Sequence, residues 1–140
     1  MKVCISEIFN RFEDYNEKYF DGVLPTPSFE LMKSFKYFGL FECEIGEIYI
    51  DDPVIKISEN YDYTDEQLRD VIVHEMIHYY LAYTGIDIEL SHGSEFKKEA
   101  KRLNEEYGLH ITKRFDMSEY RRCPDTSAIG FFFSKISSII

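Results

Sequence analysis

The stretch TDEQLRDVIVHEMIHYYLAY, residues 64–83, decides the fold more than any other part of the chain. Thr64 and Gln67 have the spacing of a capping box, and the two acids between them suit the positive end of a helix. The side chains that follow are apolar on most sides of the predicted helix, and Gly85 marks its end. The sequence therefore predicts a central helix that the rest of the chain buries.

One amphipathic helix is predicted before this stretch and another after it. In residues 4–20 apolar and aromatic side chains recur at helical spacing, and Asp21-Gly22 ends the pattern. The later helix carries one apolar stripe and ends at Gly108. That stripe consists of Phe96, Ala100, Leu103 and Tyr107.

A small sheet is predicted between the first two helices. Short runs rich in Phe, Tyr and Ile are separated by Gly39, Gly46 and Pro53. These runs are Phe29–Phe35, Tyr37–Cys43, Glu47–Ile50 and Val54–Ser58, and further strands are predicted at Leu109–Phe115 and Ile129–Phe133. The pattern predicts an α+β fold in which three main helices pack on a small mixed sheet of three to four strands.

The composition indicates one globular domain. A chain of 140 residues with 44% apolar and 16% aromatic side chains can bury a core. The first 20 residues lack an apolar signal core, and the apolar stretch at 128–140 is too short to span a bilayer. The three cysteines are far apart and form no CxxC pair, which favours free thiols and a cytoplasmic location.

The charge distribution bears on possible partners. The formal net charge of −10 disfavours binding to nucleic acid or to anionic lipid, so no membrane partner is expected. Residues 97–122 nevertheless hold eight Lys and Arg against five acids, a local charge of +3. Both a basic patch and an ordinary solvated helix face are consistent with this segment.

The motif His74-Glu75-Met76-Ile77-His78 lies within the predicted central helix. Positions i and i+4 lie on one helix face, so the imidazoles of His74 and His78 can share one metal ion. Glu75 projects beside that face and can reach a water on the metal without being a ligand. This is the HExxH arrangement of zinc peptidases.

A third ligand must come from outside the helix, because catalytic zinc has three protein ligands and one open position. His92 is the preferred candidate, since it lies 14 residues beyond His78 at the start of the next helix. Glu95 and Glu99, on the first turns of that helix, are the alternatives. Burying two histidines and a glutamate without partners is costly, and this favours a metal site over histidines of an ordinary core.

Four motifs in this order and spacing resemble those of the SprT-like domain, the zinc metalloprotease module of bacterial SprT proteins and eukaryotic Spartan proteases. They cover about residues 5–108 and include the HExxH motif already described. The other three are the YFDGVLP run Tyr19–Pro25, the Gly39–Phe41 run, and the HGSEF run His92–Phe96.

The resemblance implies a zincin-like metalloprotease fold with Zn²⁺ held by His74, His78 and His92 and with Glu75 as the catalytic base. It implies an edge strand that holds an extended substrate. The SprT-like domain is predicted at residues 1–115. A C-terminal extension at 116–140 is predicted to pack on it without the family's cysteine-paired zinc ribbon.

The predicted function is a zinc-dependent metallopeptidase that hydrolyses peptide bonds in protein or peptide substrates, with a zinc-activated water and a glutamate base. Two alternatives stay open. One is a non-catalytic, metal-stabilised binding module that uses the apolar end at 128–140. The other is a Spartan-type protease that acts at DNA, which family likeness favours and the net charge opposes. Its candidate DNA contacts are Lys97, Lys98, Lys101, Arg102 and Arg114. The sequence indicates neither the oligomeric state nor zinc over Mn, Co or Ni at a three-histidine site.

Overall fold

The computed structural model describes residues 1–124, which form three helices and five strands. In chain order the elements are α1 Ile5–Phe20, β1 Ser28–Met32, β2 Gly39–Ile45, β3 Ile50–Ser58, β4 Tyr61–Asp62, α2 Asp65–Tyr83, α3 Ser94–Tyr107 and β5 Arg121–Arg122. The predicted strand at Ile129–Phe133 and the apolar end at 128–140 lie outside the described residues.

Helix α2 is the centre of the fold and begins as the sequence predicts. The backbone N–H of Gln67 donates to Thr64 Oγ1 at 3.1 Å, and the N–H of Thr64 donates to Gln67 Oε1 at 3.0 Å, which completes a capping box. Thirteen of the 19 residues of α2 are buried. Gly85, with φ of +77°, follows its end. The predicted buried helix is therefore confirmed.

The main sheet has the strand order β1-β3-β2, with β1 parallel and β2 antiparallel to β3. It is the small mixed sheet of the prediction, and β2 forms one of its edges. The predicted break at Pro53 does not occur, because β3 continues through this residue. The pairing of β2 with β3 shifts register between Glu42 and Glu44, opposite Pro53, and Asp52 adopts φ of +50°. A bulge accommodates the proline because no ladder hydrogen bond from its nitrogen is needed there.

Aromatic packing fixes α2 against both α1 and the sheet. The ring of Tyr79 stacks on Phe41 of β2 at a centroid distance of 5.2 Å and on Phe12 of α1 at 6.4 Å. Its hydroxyl donates to the carbonyl of Pro25 at 2.7 Å, so this buried phenol also has a polar partner. These contacts set the distance between the HExxH face of α2 and strand β2.

The segment after α3 is irregular, and the predicted strand at Leu109–Phe115 does not form. Asn104 of α3 replaces a strand partner: its Nδ2 donates to the carbonyl of Ile111 at 2.9 Å, and its Oδ1 accepts from the Ile111 N–H at 2.8 Å. Leu109 and Ile111 are buried. The apolar alternation thus reflects burial against the helices, because the backbone hydrogen bonds go to a side chain.

The described part of the chain ends against the short strand that precedes α2. Strand β5 pairs antiparallel with β4, joining Arg121 to Asp62 and Arg122 to Tyr61. In the part of the chain that the structure describes, no helix is long and apolar enough to cross a lipid bilayer.

Candidate metal centre

The structure brings the three predicted ligand histidines together. His74 and His78 lie one turn apart on α2, and His92 lies just before α3. The Nε2 atom of His92 is 3.1 Å from that of His74 and 3.0 Å from that of His78. One nitrogen of each imidazole therefore points at a common centre, and the group could hold a metal ion.

Asp87 organises the connection that returns His92 to α2. Its backbone N–H donates to the carbonyl of Leu81 at 3.1 Å, which ties the loop to the end of the helix. Its carboxylate accepts from the Glu89 N–H and from the Ser91 hydroxyl, both at 2.9 Å. The loop before His92 is thus held by local polar contacts, in the manner of an Asx turn.

A backbone carbonyl fixes the protonation of His74. The carbonyl of Thr112 lies 3.1 Å from His74 Nδ1 and can only accept, so Nδ1 carries the proton and Nε2 is bare. A metal-ligating histidine usually donates its other N–H in this way, which fixes the ring and its tautomer. Thr112 therefore positions His74 for coordination through Nε2.

The environment keeps the imidazoles neutral. Burial, followed by the neighbouring His78 and His92, lowers the pKa of His74 from 6.5 to about 3. Burial and then His92 lower the pKa of His78 to about 4. Burial, Lys113 and Arg114 lower the pKa of His92. Neutral imidazole is the form that metal ions bind, so the three rings are ready as ligands near neutral pH.

The donor set fits a tetrahedral divalent ion. Two nitrogens at ~2.0–2.1 Å from a tetrahedral zinc lie ~3.4 Å apart, a few tenths of an ångström more than the separations found here. Among residues 1–124, the ligand atoms close enough to share one ion come from these three histidines. Glu99 is instead bound to Arg102, at 3.0 Å, and Glu95 is not in the group.

Glu75 lies beside this centre in an unusual state for a carboxyl group. Its side chain is buried, and Oε2 has no hydrogen-bond partner among the described residues, while Oε1 is 3.8 Å from His74 Nε2. Burial raises its pKa from 4.5 to about 8. An unpaired buried carboxyl is costly to a fold, and such strongly shifted groups are concentrated at functional sites.

Strand β2 reaches Glu75 at its first residue. A Cβ atom added to Gly39 would be 2.9 Å from Glu75 Cγ and 3.3 Å from the Lys56 carbonyl oxygen. This glycine is required by the close approach of the carboxyl side chain to the backbone. The Gly39–Phe41 run was one of the motifs that carry the family resemblance. The structure shows what its glycine does: it leaves room for the side chain of Glu75.

Two residues that support the centre were not predicted to do so. The ring of Phe96 lies 4.7 to 4.9 Å from the ring centroids of all three histidines, whereas sequence analysis placed it in the apolar stripe of α3 and in the HGSEF run without a role at the metal. Its place in the HGSEF run, four residues after His92, was the available indication. Thr112 acts through its backbone, for which the sequence has no marker. His110 is exposed and lies outside the group.

An open cleft of about 720 Å³ gives access to these groups. Its walls are the beginning of β2, the HExxH face of α2, and the segment that follows α3. Its lining includes Lys36, Gly39, Glu75, Lys113, Arg114 and the three histidines.

Comparison with known proteins agrees with the geometry. The model of the SprT-like family matches residues 8–116, which include the whole histidine group and Glu75. A comparison with curated proteins finds no significant match.

Proposed function

Because the chain belongs to the SprT-like family, we propose that it is a zinc-dependent metallopeptidase that hydrolyses peptide bonds in protein substrates. One observation carries the proposal. Three neutral imidazoles converge within an open cleft beside a buried carboxyl that has a free oxygen. A structural metal site would be closed by a fourth ligand, whereas a three-histidine set leaves a position open for water or substrate.

His74, His78 and His92 are the residues that would hold the metal. When bound, zinc polarises the scissile carbonyl and lowers the pKa of a water molecule toward neutrality. Three nitrogen ligands favour zinc over magnesium or calcium, which prefer oxygen. Thr112 and Phe96 hold the imidazole rings in place, the first by a hydrogen bond and the second by packing.

Glu75 is proposed as the general base. Its burial favours the neutral acid in the metal-free protein, while a cation nearby favours the carboxylate. As the carboxylate, it accepts a proton from the attacking water and later donates that proton to the leaving amine. Oε2 is the atom available for this transfer, since it has no hydrogen-bond partner among residues 1–124.

The edge of strand β2 is the proposed binding surface for the polypeptide. Residues 39–41 line the cleft, and β3 covers only one side of this strand. An extended segment added along the free edge would be held by main-chain hydrogen bonds, which tolerate many sequences. This arrangement suits a peptidase that acts on unfolded or extended regions of proteins.

Metal removal tests the proposal directly. We expect the purified chain to bind one zinc ion and to cleave a denatured protein such as reduced, carboxymethylated casein. Treatment with 1,10-phenanthroline should lower the cleavage rate at least ~100-fold, and added zinc should restore it, because the open metal position supplies the reactive water. Zinc content is measured by mass spectrometry and cleavage by gel.

Two outcomes would contradict this assignment. Purified protein that binds no zinc would contradict the proposed metal site. Fully loaded protein that cleaves no denatured substrate contradicts the peptidase activity and favours the non-catalytic binding module.

Gly39→Ala provides a second test that leaves the ligands intact. The added methyl group would press on Glu75 Cγ, so the carboxyl must move or β2 must shift. We expect a loss of stability of about 1–3 kcal/mol from this overpacking, and a decrease in cleavage rate of at least ~10-fold. Zinc stoichiometry, thermal unfolding and cleavage rate should be measured together. Wild-type cleavage by a folded Gly39→Ala protein would show that the position of Glu75 is not important.

A further inference from the structure

Most of the charged side chains that line the cleft are cations. A second groove of about 360 Å³ lies beside α3 and shares Lys113 with the cleft of the metal centre. The cations that line the two grooves are Lys36, Lys97, Lys101, Lys113 and Arg114. Among the described residues that line the two grooves, the only carboxyls are Glu75 and Glu105. The whole chain has 26 acids and 16 Lys and Arg. Cations therefore outnumber acids in the two grooves, whereas acids outnumber cations in the chain as a whole.

Most of these cations are free to meet a ligand. Lys101 faces Glu105 at 3.9 Å, both side chains being exposed, and such a pair contributes little. The ion pairs found within residues 1–124 do not involve Lys36, Lys113 or Arg114. All three are exposed at the cleft. Their charges are therefore available for opposite charges on a bound chain.

The cations lie close to the proposed catalytic groups. Lys113 and Arg114 directly follow Thr112, whose carbonyl holds the His74 ring at 3.1 Å, so their backbone is fixed close to the metal centre. Lys36 also lines the cleft, shortly before Gly39, whose backbone lies close to Glu75. The two segments pack together, with the ring of Phe38 5.6 Å from that of Phe115. A polypeptide bound in the cleft therefore meets positive charge near the position where its backbone would be cleaved.

We infer that the cleft selects polypeptide segments with Asp or Glu near the scissile bond, an inference that rests on the proposed function. Acidic peptide is favoured over nucleic acid because the excess of cations is local to the cleft and its neighbouring groove, while the chain as a whole carries a charge of −10. That net charge repels a long polyphosphate along its length, whereas a few carboxylates need only local neutralisation.

Binding measured without cleavage tests this inference. The probes are two fluorescent unstructured peptides of equal length, one with Glu at the positions that flank a central apolar pair and one with Gln there. Zinc-loaded Glu75→Gln protein prevents their hydrolysis. We expect the acidic peptide to bind ~10-fold more tightly at low salt and to lose this advantage at 0.5 M salt, since exposed charges are screened.

Variants assign the preference to the cleft. Combined Lys113→Gln and Arg114→Gln should remove the acidic preference without loss of zinc, whereas Lys98→Gln, on α3 but outside both grooves, should retain it. Equal binding of the two peptides would overturn the inference, as would an unchanged preference in the double variant. Tighter binding of a single-stranded oligonucleotide than of the acidic peptide would also overturn it, in favour of nucleic acid.

The same peptides separate this inference from the proposed function. Cleavage of both peptides at equal rates by the wild-type protein would remove the acidic preference and leave the peptidase assignment intact. Selective binding of the acidic peptide without cleavage by the zinc-loaded wild type would support the preference and contradict the peptidase.

Discussion

Replacement of Glu75 by Gln is expected to lower peptide cleavage by the zinc-loaded protein by about 10²–10⁴-fold, with zinc content unchanged. The amide has nearly the same shape but cannot accept the proton of the attacking water. Cleavage rate and zinc stoichiometry are measured on the same preparation. Glu66→Gln is the matched control, because Glu66 is exposed on the first turn of α2 and lies outside the cleft.

Retention of wild-type cleavage in the folded Glu75→Gln protein would exclude this carboxyl as the base. Loss of zinc along with activity would instead show that Glu75 supports the metal ligands. The combined measurement therefore separates a proton-transfer role from a structural one.

The same variant has an expected effect on the stability of the metal-free protein. Burial raises the pKa of Glu75 from 4.5 to about 8, so the folded chain binds this proton more tightly than the unfolded chain does. The contribution of Glu75 is fully present below about pH 4.5 and is lost as the pH rises toward 8. Gln does not titrate, so the free energy of unfolding of the variant should rise relative to that of the wild type over this window, by roughly 3–5 kcal/mol at pH 8.

Thermal or urea unfolding of the two metal-free proteins from pH 5 to pH 8 measures this difference. The histidines of the centre also titrate with shifted pKa values, but both proteins contain them, so their contribution cancels to first order. A stability difference that stays constant across the window would contradict the raised pKa.

Replacement of His92 by Ala is expected to weaken zinc binding by at least ~100-fold and to abolish detectable cleavage. It removes one of three converging nitrogens and leaves His74 and His78 to hold the ion alone. Even residues that only support metal ligands contribute 10–100-fold to affinity, so loss of a ligand should cost more. Zinc affinity is measured by competition with a chromogenic chelator.

His110→Ala is the matched control for this substitution, since His110 is exposed and lies outside the ligand group. Wild-type zinc affinity in His92→Ala would mean that the third ligand is another group. Glu95→Gln and Glu99→Gln would then identify it, because these acids are the sequence alternatives on the first turns of α3.

Local sequence patterns were enough to predict the central part of the site. The capping box at Thr64 and Gln67 depends on residues three apart, and the HExxH spacing depends on one helical turn, so both follow from helix geometry alone. His92 required more, because it lies outside α2 and helix geometry does not determine where the loop after α2 returns. Its prediction relied on the number of ligands that catalytic zinc needs, together with a short distance along the sequence.

Contacts between distant segments could not be predicted in this way. The acceptor for His74 is the carbonyl of Thr112, and every residue has such a carbonyl. The apolar alternation at Leu109–Phe115 predicted a strand, yet Asn104 takes the hydrogen bonds that a strand would have made. The passage of β3 through Pro53 depends on a bulge in β3, where Asp52 and Pro53 lie opposite the single residue Cys43 of β2. Each of these outcomes is decided by tertiary packing, which overrides local propensity.

The placement of the ligands on both sides of the loop between α2 and α3 has a consequence for the persistence of the fold. An ion shared by His78 and His92 would join α2 to the loop before α3 only in the folded chain, because the unfolded chain does not bring these ligands together, and its binding free energy would therefore stabilise the fold. The three cysteines of this chain are unpaired. By mass action, the fraction of the protein that stays folded would then follow the concentration of free zinc.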